Sequence, residues 1–297
     1  MRILRALRFS VQLGFKIELL TKRAMIDNRS LLNKISFERI NSEFVKIIES
    51  SSSHHARMLL LEFEDVLAEF IPELKSTFGF EQNNPYHRYP VYEHILAVLK
   101  ECTDTDIITK LAAFFHDIGK PHCCQDDDNG IRHFKGHGKV SAEMTDAIMR
   151  RLRFDNDTRE NVVQLVYYHD ASFKVGKKYV RRWLNKIGVD QFKRLLVLRR
   201  ADIIGQSEHY REERIQKLDA VKACLEEVLK EKPAFYVKDL EIDGKDVMKY
   251  MLMDECPEVG YWLKHILKMV IDGYLENNRE DLIYYMIGIT DGWIVPE

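Results

Sequence analysis

The amino-acid sequence predicts an all-α protein. Helical spacing of apolar residues recurs along almost the entire chain, and the sequence lacks extended β-branched runs long enough to form a sheet. The chain has 297 residues, of which 45% are hydrophobic, so it can bury one large core or two to three smaller ones. Two interruptions of the helical pattern indicate three parts, over residues 1–84, 85–232 and 233–297.

The front part, residues 1–84, begins with an amphipathic helix over residues 2–15, in which apolar and basic residues form neighbouring stripes. The apolar stripe consists of Leu4, Leu7 and Val11, and the basic stripe of Arg2, Arg5 and Arg8. Ser36 precedes an acidic first turn and so predicts a helix over residues 37–50. An apolar run around residues 58–70 predicts a further helix, which Pro72 ends or kinks.

The middle part follows a loop rich in Asn and Pro at residues 82–90. Seven helices are predicted there, over residues 91–102, 106–118, 138–152, 157–168, 177–187, 190–204 and 210–230. Short connections between so many helices are typical of one compact bundle. Pro233 and the stretch 236–244 then mark the boundary to a small helical tail.

Composition limits the partners only in part. Lys and Arg number 45 against 47 Asp and Glu, a balance that neither indicates nor excludes a nucleic-acid partner. No signal peptide is apparent, and no apolar stretch approaches the roughly 20 residues that cross a bilayer. We therefore expect a cytoplasmic protein without a membrane partner. The five cysteines lack paired spacing, which indicates reduced thiols.

Histidine and aspartate residues in the middle part have the chemistry of metal ligands. His116 and Asp117 follow the apolar run 111–115, and His94 and Asp202 also lie within apolar-periodic helices, so all four are expected to point inward. A buried aspartate without a partner is unfavourable, and a metal ion or a paired cation is the usual remedy. Imidazoles and carboxylates together suit Mn, Ni, Zn, Fe or Mg, and such a metal makes water acidic enough to attack a phosphoryl group.

The order of these residues resembles the HD-domain superfamily of metal-dependent phosphohydrolases. The pattern of that superfamily is a His, an adjacent His-Asp pair and a distant Asp. In this chain the pattern is carried by His94, His116, Asp117 and Asp202. A subgroup with two further histidines is matched by the stretches His116–Pro121, His133–His137 and Tyr168–Asp170.

The HD resemblance implies a phosphohydrolase with one or two divalent metal ions. The first ion would be held by His94, His116, Asp117 and Asp202, and a second by His137 and His169. Asp117 would bridge the ions or take a proton from water, and Lys120 would stabilise the developing negative charge. The implied substrate is a phosphoester such as a 2′,3′-cyclic phosphate or a nucleotide, with a signalling nucleotide as an alternative.

Simpler interpretations stay open for several of these residues. His116 and Asp117 can pair with each other or cap the following turn. His137 lies between two glycines, which also suits an exposed loop, and His169 can be a helix-end histidine near the negative pole of the helix dipole. Lys120 can equally be a solvated lysine at a helix end.

A second resemblance covers nearly the whole chain. The stretch Arg2–Phe15 resembles the neck segment of bacterial CCA-adding enzymes and poly(A) polymerases, the class II tRNA nucleotidyltransferases, and Ile35–Glu43 resembles their Glu-Arg-Ile-x-x-Glu motif. His87–His94 is similar to the beginning of their HD-type domain, and the region 240–277 to their C-terminal helices. The resemblance implies the neck, HD domain and tail of such an enzyme.

The catalytic head of that family has no counterpart in this sequence. In the family, the head precedes the neck and carries a glycine-rich turn and two aspartates one residue apart. The aspartates at 126–128 are better explained as a solvated turn, and Arg2 matches the last residue of the family's nucleotide-selecting Glu-Asp-x-x-Arg motif. We therefore expect that this chain alone does not add nucleotides. It would be a fragment, a split gene product or a protein with a misplaced start, with a separate nucleotidyltransferase head as a partner.

Basic residues suggest a tRNA partner. Those between residues 174 and 200 are Lys177, Lys178, Arg181, Arg182, Lys186, Lys193, Arg194 and Arg199, with Tyr179 and Trp183 between them. Such a strip can follow a phosphate backbone with strong salt dependence, although a solvated helix face has the same composition. The same two interpretations apply to Arg2, Arg5 and Arg8 as nucleotide- or RNA-binding residues. A metal-dependent phosphohydrolase and a tRNA-binding body without its own activity therefore both remain open.

Overall fold

The computed structural model describes residues 1–103, 105–209, 211–231 and 234–294 and confirms the all-α class. The described residues form fifteen α-helices and one two-stranded antiparallel ribbon. They divide into two compact units. The first consists of Met1–Ser172 and Lys193–Ile215, and the second of Phe173–Phe192 and Gln216–Glu297. None of the described helices is long and apolar enough to cross a lipid bilayer.

The front of the first unit is helical, as the sequence predicts. It comprises α1 (Arg2–Leu13), α2 (Leu19–Asp27), α3 (Phe37–Glu49), α4 (His54–Glu62) and α5 (Glu64–Ala68). The segment predicted as one helix over residues 58–70 is divided between α4 and α5 by Phe63, whose backbone leaves the helical region while its ring is fully buried. Pro72 begins a short 3-10 segment, Pro72–Thr77, after the second of these helices has ended.

The basic stripe on α1 contacts one buried carboxylate. Glu43 on α3 is only 5% exposed, and its Oε1 accepts a hydrogen bond from Arg5 Nε at 3.2 Å. Its Oε2 lies 3.1 Å from Arg8 Nε. Two of the three arginines are therefore engaged in ion pairs within the unit, whereas Arg2 is exposed.

Four further helices of the first unit carry or surround the predicted ligands. They are α6 (Val91–Glu101), α7 (Ile107–Phe115), α8 (His137–Arg151) and α9 (Asn156–Tyr168). The side chain of Asp106 accepts a hydrogen bond from Thr109 N at the start of α7, an ordinary N-cap. The short strands β1 (Gln125–Asp126) and β2 (Arg132–His133) pair between α7 and α8, and the turn between them contains Asp127 and Asp128. Asp127 Oδ1 accepts two backbone hydrogen bonds there, as expected for a turn.

Phenylalanine rings join the front helices to α7. Phe44 on α3 is fully buried, and its ring centroid lies 5.5 Å from that of Phe114 and 6.4 Å from that of Phe115. Phe70 contacts the same ring at 5.7 Å. Because Phe114 and Phe115 are the last residues of α7, this cluster supports the position of the His-Asp pair that follows.

The second unit has its own core. Its helices are α10 (Lys177–Ile187), α13 (Gly244–Tyr250), α14 (Pro257–Ile271) and α15 (Arg279–Thr290), and α11 (Val189–Gly205) and α12 (Arg211–Lys230) contribute to both units. Val247, Ile266, Leu282 and Met286 are fully buried in this core. Pro233, the predicted boundary residue, lies outside the described residues, as does Tyr210 at the predicted start of α12. The division at residues 84 and 232 stays a prediction.

Candidate metal centre

All six predicted metal ligands converge in the first unit, and all are buried. Their donor atoms form two groups within which every pair of atoms lies within 4.8 Å. The groups consist of His94, His116 and Asp202, and of Asp117, His137 and His169. His137 is therefore not an exposed loop residue. The fold brings together side chains from five separate segments of the chain.

Three of the histidines share one local geometry. In each, Nδ1 hydrogen-bonds the backbone carbonyl three residues earlier in the chain. These bonds join His116 to Ala113 at 2.8 Å, His137 to Phe134 at 2.7 Å and His169 to Val166 at 2.6 Å. Because a carbonyl only accepts, Nδ1 must carry the proton. In the neutral ring, the Nε2 lone pair is then free and directed into the cluster.

The converging nitrogens face one another closely. His137 Nε2 and His169 Nε2 are 3.0 Å apart, and each ring has its Nδ1 hydrogen-bonded to a carbonyl, so two lone pairs oppose each other when both rings are neutral. His116 Nε2 lies 3.3 Å from His94 Nε2. Donor atoms about 2.1 Å from a shared ion are roughly 3.0–3.4 Å apart. The spacing therefore fits a bound cation.

Asp117 lies between the two groups of donors. Its Oδ2 is 3.3 Å from His94 Nε2 and 3.2 Å from His116 Nε2. Its Oδ1 is 3.3 Å from His137 Nε2 and 3.5 Å from His169 Nε2. Neither buried oxygen accepts a hydrogen bond of ordinary geometry. A buried carboxylate without such hydrogen bonds requires nearby positive charge, which Lys120 supplies at 2.6 Å from Oδ2 and to which a cation held by the neighbouring donors would add.

Both aspartates of the cluster are ionised. Burial raises the pKa of Asp117, but its interactions with His116 and Lys120 outweigh burial, and the pKa lies well below its usual value. Burial likewise raises the pKa of Asp202, but the hydrogen bond with His94 contributes to lowering it well below the ordinary range. The cluster therefore offers two anionic carboxylates, as divalent cations require.

Lys120 is buried rather than solvated, with an exposure of only 4%. Its ammonium nitrogen lies 2.8 Å from Gln82 Oε1, 3.1 Å from His87 Nε2 and 2.6 Å from Asp117 Oδ2. Burial, together with the charge of Lys120, lowers the pKa of His87 to about 2, so this imidazole is a neutral acceptor. The contacts of Lys120 with Gln82 and His87 are hydrogen bonds, and its contact with Asp117 is an ion pair. The contributions of Gln82 and His87 were not predicted from the sequence.

Asp202 is oriented by Arg199, within α11, and by Gln206, which directly follows α11. Gln206 Nε2 donates to Asp202 Oδ1 at 2.8 Å, and Arg199 Nη1 donates to Oδ2 at 3.0 Å. His94 Nε2 lies 3.2 Å from Oδ1. Such partners fix the direction in which a ligand oxygen points. Arg199, part of the predicted basic strip, is therefore engaged at the cluster.

Close packing of α8 explains the glycine after the His-Asp pair. A Cβ at Gly119 would lie 2.6 Å from the backbone nitrogen of Ser141 on α8, closer than atoms can approach. Gly119 N instead donates to Ser141 Oγ at 2.9 Å. This contact seats α8, which carries His137, directly against the turn that carries Asp117.

The cluster lies at the base of a cleft of about 440 Å³. Asp117, Lys120 and Asp202 belong to its lining, together with loop residues 84–87 and the segment 131–135 that includes β2. A volume of this size accommodates a small organic ligand. The cleft therefore gives a phosphoester-sized molecule access to the donor groups.

The predicted RNA-binding residues of α10 have acidic partners within the second unit. The closest contacts join Lys177 and Arg181 to Glu231 at 2.8 and 2.6 Å, and Lys178 and Arg182 to Asp272 at 3.7 and 2.6 Å. These pairs reduce the positive charge that the helix offers to a phosphate backbone. An RNA-binding role for α10 and for the arginines of α1 stays a prediction.

Fold and site together define a helical protein with an HD domain and a histidine–aspartate centre suited to divalent metals. The family model of the HD domain matches residues 87–220. A second family model, described as the probable RNA and SrmB-binding site of polymerase A, matches residues 14–78.

Known proteins match over nearly the whole chain. The CC-adding tRNA nucleotidyltransferase of Thermus thermophilus is 28% identical over an alignment of 301 positions, which covers 97% of this chain and 67% of that protein. The A-adding tRNA nucleotidyltransferase of Deinococcus radiodurans is 28% identical over 279 residues, 89% of this chain and 62% of that protein. The crystal structure of the Bacillus stearothermophilus CCA-adding enzyme in complex with CTP has a similar fold, with a TM-score of 0.59 at 17% identity over 98% of this chain and 61% of that chain.

These matches confirm the resemblance found in the sequence. Residues 14–78 and 87–220 match the polymerase A RNA-binding model and the HD model, and the chain is similar to CCA-adding enzyme homologues over about 97% of its length. It spans about three fifths to two thirds of the length of these relatives.

Proposed function

We propose that the HD domain is a divalent-metal-dependent phosphohydrolase that acts on a phosphoester such as a nucleotide or a 2′,3′-cyclic phosphate. Asp117 carries this proposal, because its two buried oxygens lack ordinary hydrogen bonds and each faces a different group of donors. Four histidines and two aspartates suit Mn, Ni, Zn, Fe or Mg, and cellular supply often selects among such ions.

In this proposal His94, His116, Asp117 and Asp202 would hold one ion, and His137 and His169 would hold a second. Bound divalent ions supply Lewis acidity toward a phosphoryl oxygen and lower the pKa of water.

The protein residues hold this arrangement in place. Lys120 keeps Asp117 ionised, and Gln82 and His87 keep the Lys120 ammonium in position. The strongly lowered pKa of Asp117 favours a bridging role over proton acceptance, because a very weak base takes a proton poorly. In the folded geometry Lys120 stabilises charge through Asp117, and a direct contact with the substrate would require it to leave one of its partners.

Metal analysis and hydrolysis assays test this proposal. Protein purified without a metal-affinity tag should contain about one or two equivalents of a transition metal and should hydrolyse a nucleoside 2′,3′-cyclic phosphate. A chelator should abolish turnover, and added Mn²⁺, Ni²⁺ or Zn²⁺ should restore it. Protein that stays empty after incubation with these ions, or stays inactive once loaded, would contradict the proposal.

A second candidate function is a tRNA-binding body that works with a nucleotidyltransferase head outside this sequence. The match of residues 14–78 to an RNA-binding family model and the tRNA nucleotidyltransferase relatives favour it. The two functions are compatible, because a domain that binds tRNA can also present an RNA end to a hydrolytic site. A hydrolase of signalling nucleotides, in contrast, predicts no affinity for tRNA.

Binding of tRNA at several salt concentrations separates these candidates. If the body contacts about six phosphates, its affinity for tRNA should fall by about 10³-fold or more between roughly 50 and 200 mM salt. A 2′,3′-cyclic nucleotide is the control ligand, because its single phosphate gives a much weaker salt dependence. Absence of tRNA binding at low salt, with full turnover of small substrates, would leave the signalling-nucleotide hydrolase.

A further inference from the structure

Basic side chains in the lining of the cleft differ in whether they are free to contact a ligand. Outside the converging histidines and His87, the lining contains Lys120, Arg132, His133 and Lys135. Lys120 is engaged by two hydrogen bonds and by the ion pair with Asp117, as described above. Arg132 Nε donates to Asp126 Oδ1 at 2.9 Å, and His133 Nε2 lies 2.9 Å from Asp127 Oδ2. Lys135 is exposed and has no hydrogen-bond or ion-pair partner among the residues that the structure describes.

The backbone around Lys135 is fixed relative to the metal centre. The carbonyl of Phe134 accepts hydrogen bonds from both the backbone nitrogen and Nδ1 of His137, at 3.1 and 2.7 Å. Gly136 has a φ of 79°, which lets the chain turn tightly into α8. The Phe134 ring packs 5.4 Å from the Lys120 ammonium. The backbone of Lys135 is therefore held in place two residues before His137, a proposed metal ligand. Its side chain is flexible and ends in a compact positive charge.

We propose that Lys135 binds the phosphate of the substrate and makes the cleft selective for anionic phosphoesters. This inference rests on the proposed function and adds the residue that recognises the anion. Lys120 is a poorer candidate, because it is buried and its ammonium group is hydrogen-bonded to Gln82 and His87. Asp170, the exposed carboxylate of the lining, lies 3.4 Å from Arg199, so its charge is partly balanced.

Phosphate binding to Lys135 variants tests this inference. Inorganic phosphate is titrated calorimetrically into Mn²⁺-loaded wild-type, Lys135→Met, Lys135→Arg and Lys139→Met proteins at low salt. Loss of one charge-assisted hydrogen bond should weaken phosphate binding by about 10-fold in Lys135→Met. Lys135→Arg keeps the charge and should stay within about threefold of wild type. Lys139→Met is the matched control, since this exposed lysine lies four residues further along and outside the cleft lining.

The outcomes separate this inference from the proposed function. Wild-type phosphate affinity in Lys135→Met, or no phosphate binding by the loaded wild type, overturns the role of Lys135 whether or not the protein hydrolyses a cyclic phosphate. A 10-fold loss in Lys135→Met with unchanged metal content supports that role. If the same loss is found in a wild type that turns over no phosphoester, the hydrolase proposal fails and the phosphate site stands.

Discussion

Replacing Asp117 by asparagine is expected to remove bound metal and phosphohydrolase turnover together. Each carboxylate oxygen faces a different pair of histidine nitrogens, so an amide would offer one acceptor and would direct N–H groups toward the other donors. Metal affinity should fall by more than about 100-fold, beyond the about 10- to 100-fold loss typical of residues that only support a ligand. Elemental analysis after dialysis and a cyclic-phosphate assay measure the two effects.

The matched control is Asp128→Asn, which removes the same charge from an exposed position in the turn between β1 and β2. This variant should keep its metal and its turnover, because surface substitutions away from special features are usually neutral. An Asp117→Asn protein that retains wild-type metal content would show that the histidines hold the ions without the bridging carboxylate.

Truncating Phe44 to alanine should cost about 3–5 kcal/mol of unfolding free energy in the first unit. The ring is fully buried among Phe70, Phe114 and Phe115, so its removal leaves a cavity that these rigid aromatic neighbours fill poorly. Because two of the neighbours are the last residues of α7, we also expect weaker metal binding. Denaturant unfolding is followed by circular dichroism of the helices. The free energy of unfolding without Mn²⁺ measures the loss of stability, and its increase on addition of Mn²⁺ measures metal binding.

Phe37→Ala provides the comparison on the same helix. Phe37 begins α3 and is 36% exposed, so its truncation should cost about 1 kcal/mol or less and leave metal binding unchanged. Equal losses in the two variants would show that the phenylalanine cluster does not support the metal centre.

The sequence predicted the six converging residues because they belong to a motif, and His94 and Asp202 also lie on apolar-periodic helices, where burial follows from spacing. Gln82 and His87 escaped prediction because they belong to an irregular loop, whose burial depends on tertiary contacts. Gln82 Nε2, for example, donates to the Tyr89 carbonyl at 3.0 Å, which closes the loop on itself. Nothing in the spacing of a loop indicates such a contact.

The ends of helices and the acidic partners of basic residues were also not predicted from the sequence. Helix α7 ends at Phe115, three residues before its predicted end at residue 118, and His116 Nδ1 bonds the Ala113 carbonyl that a continuing helix would offer to a backbone N–H. On α10, the partners of the basic residues lie 50 or more positions away along the chain, at Glu231 and Asp272. A prediction based on composition counts the basic residues but does not identify the acidic residues that pair with them.

The phenylalanine cluster between α3 and α7 has a consequence for the evolution of this protein. The RNA-binding family match ends at residue 78 and the HD match begins at residue 87, yet Phe44 and Phe114 from the two matched regions share one core. A gene break between those positions would leave apolar rings facing water on both products. An HD domain transferred alone to another protein would therefore need new residues to cover the exposed end of α7.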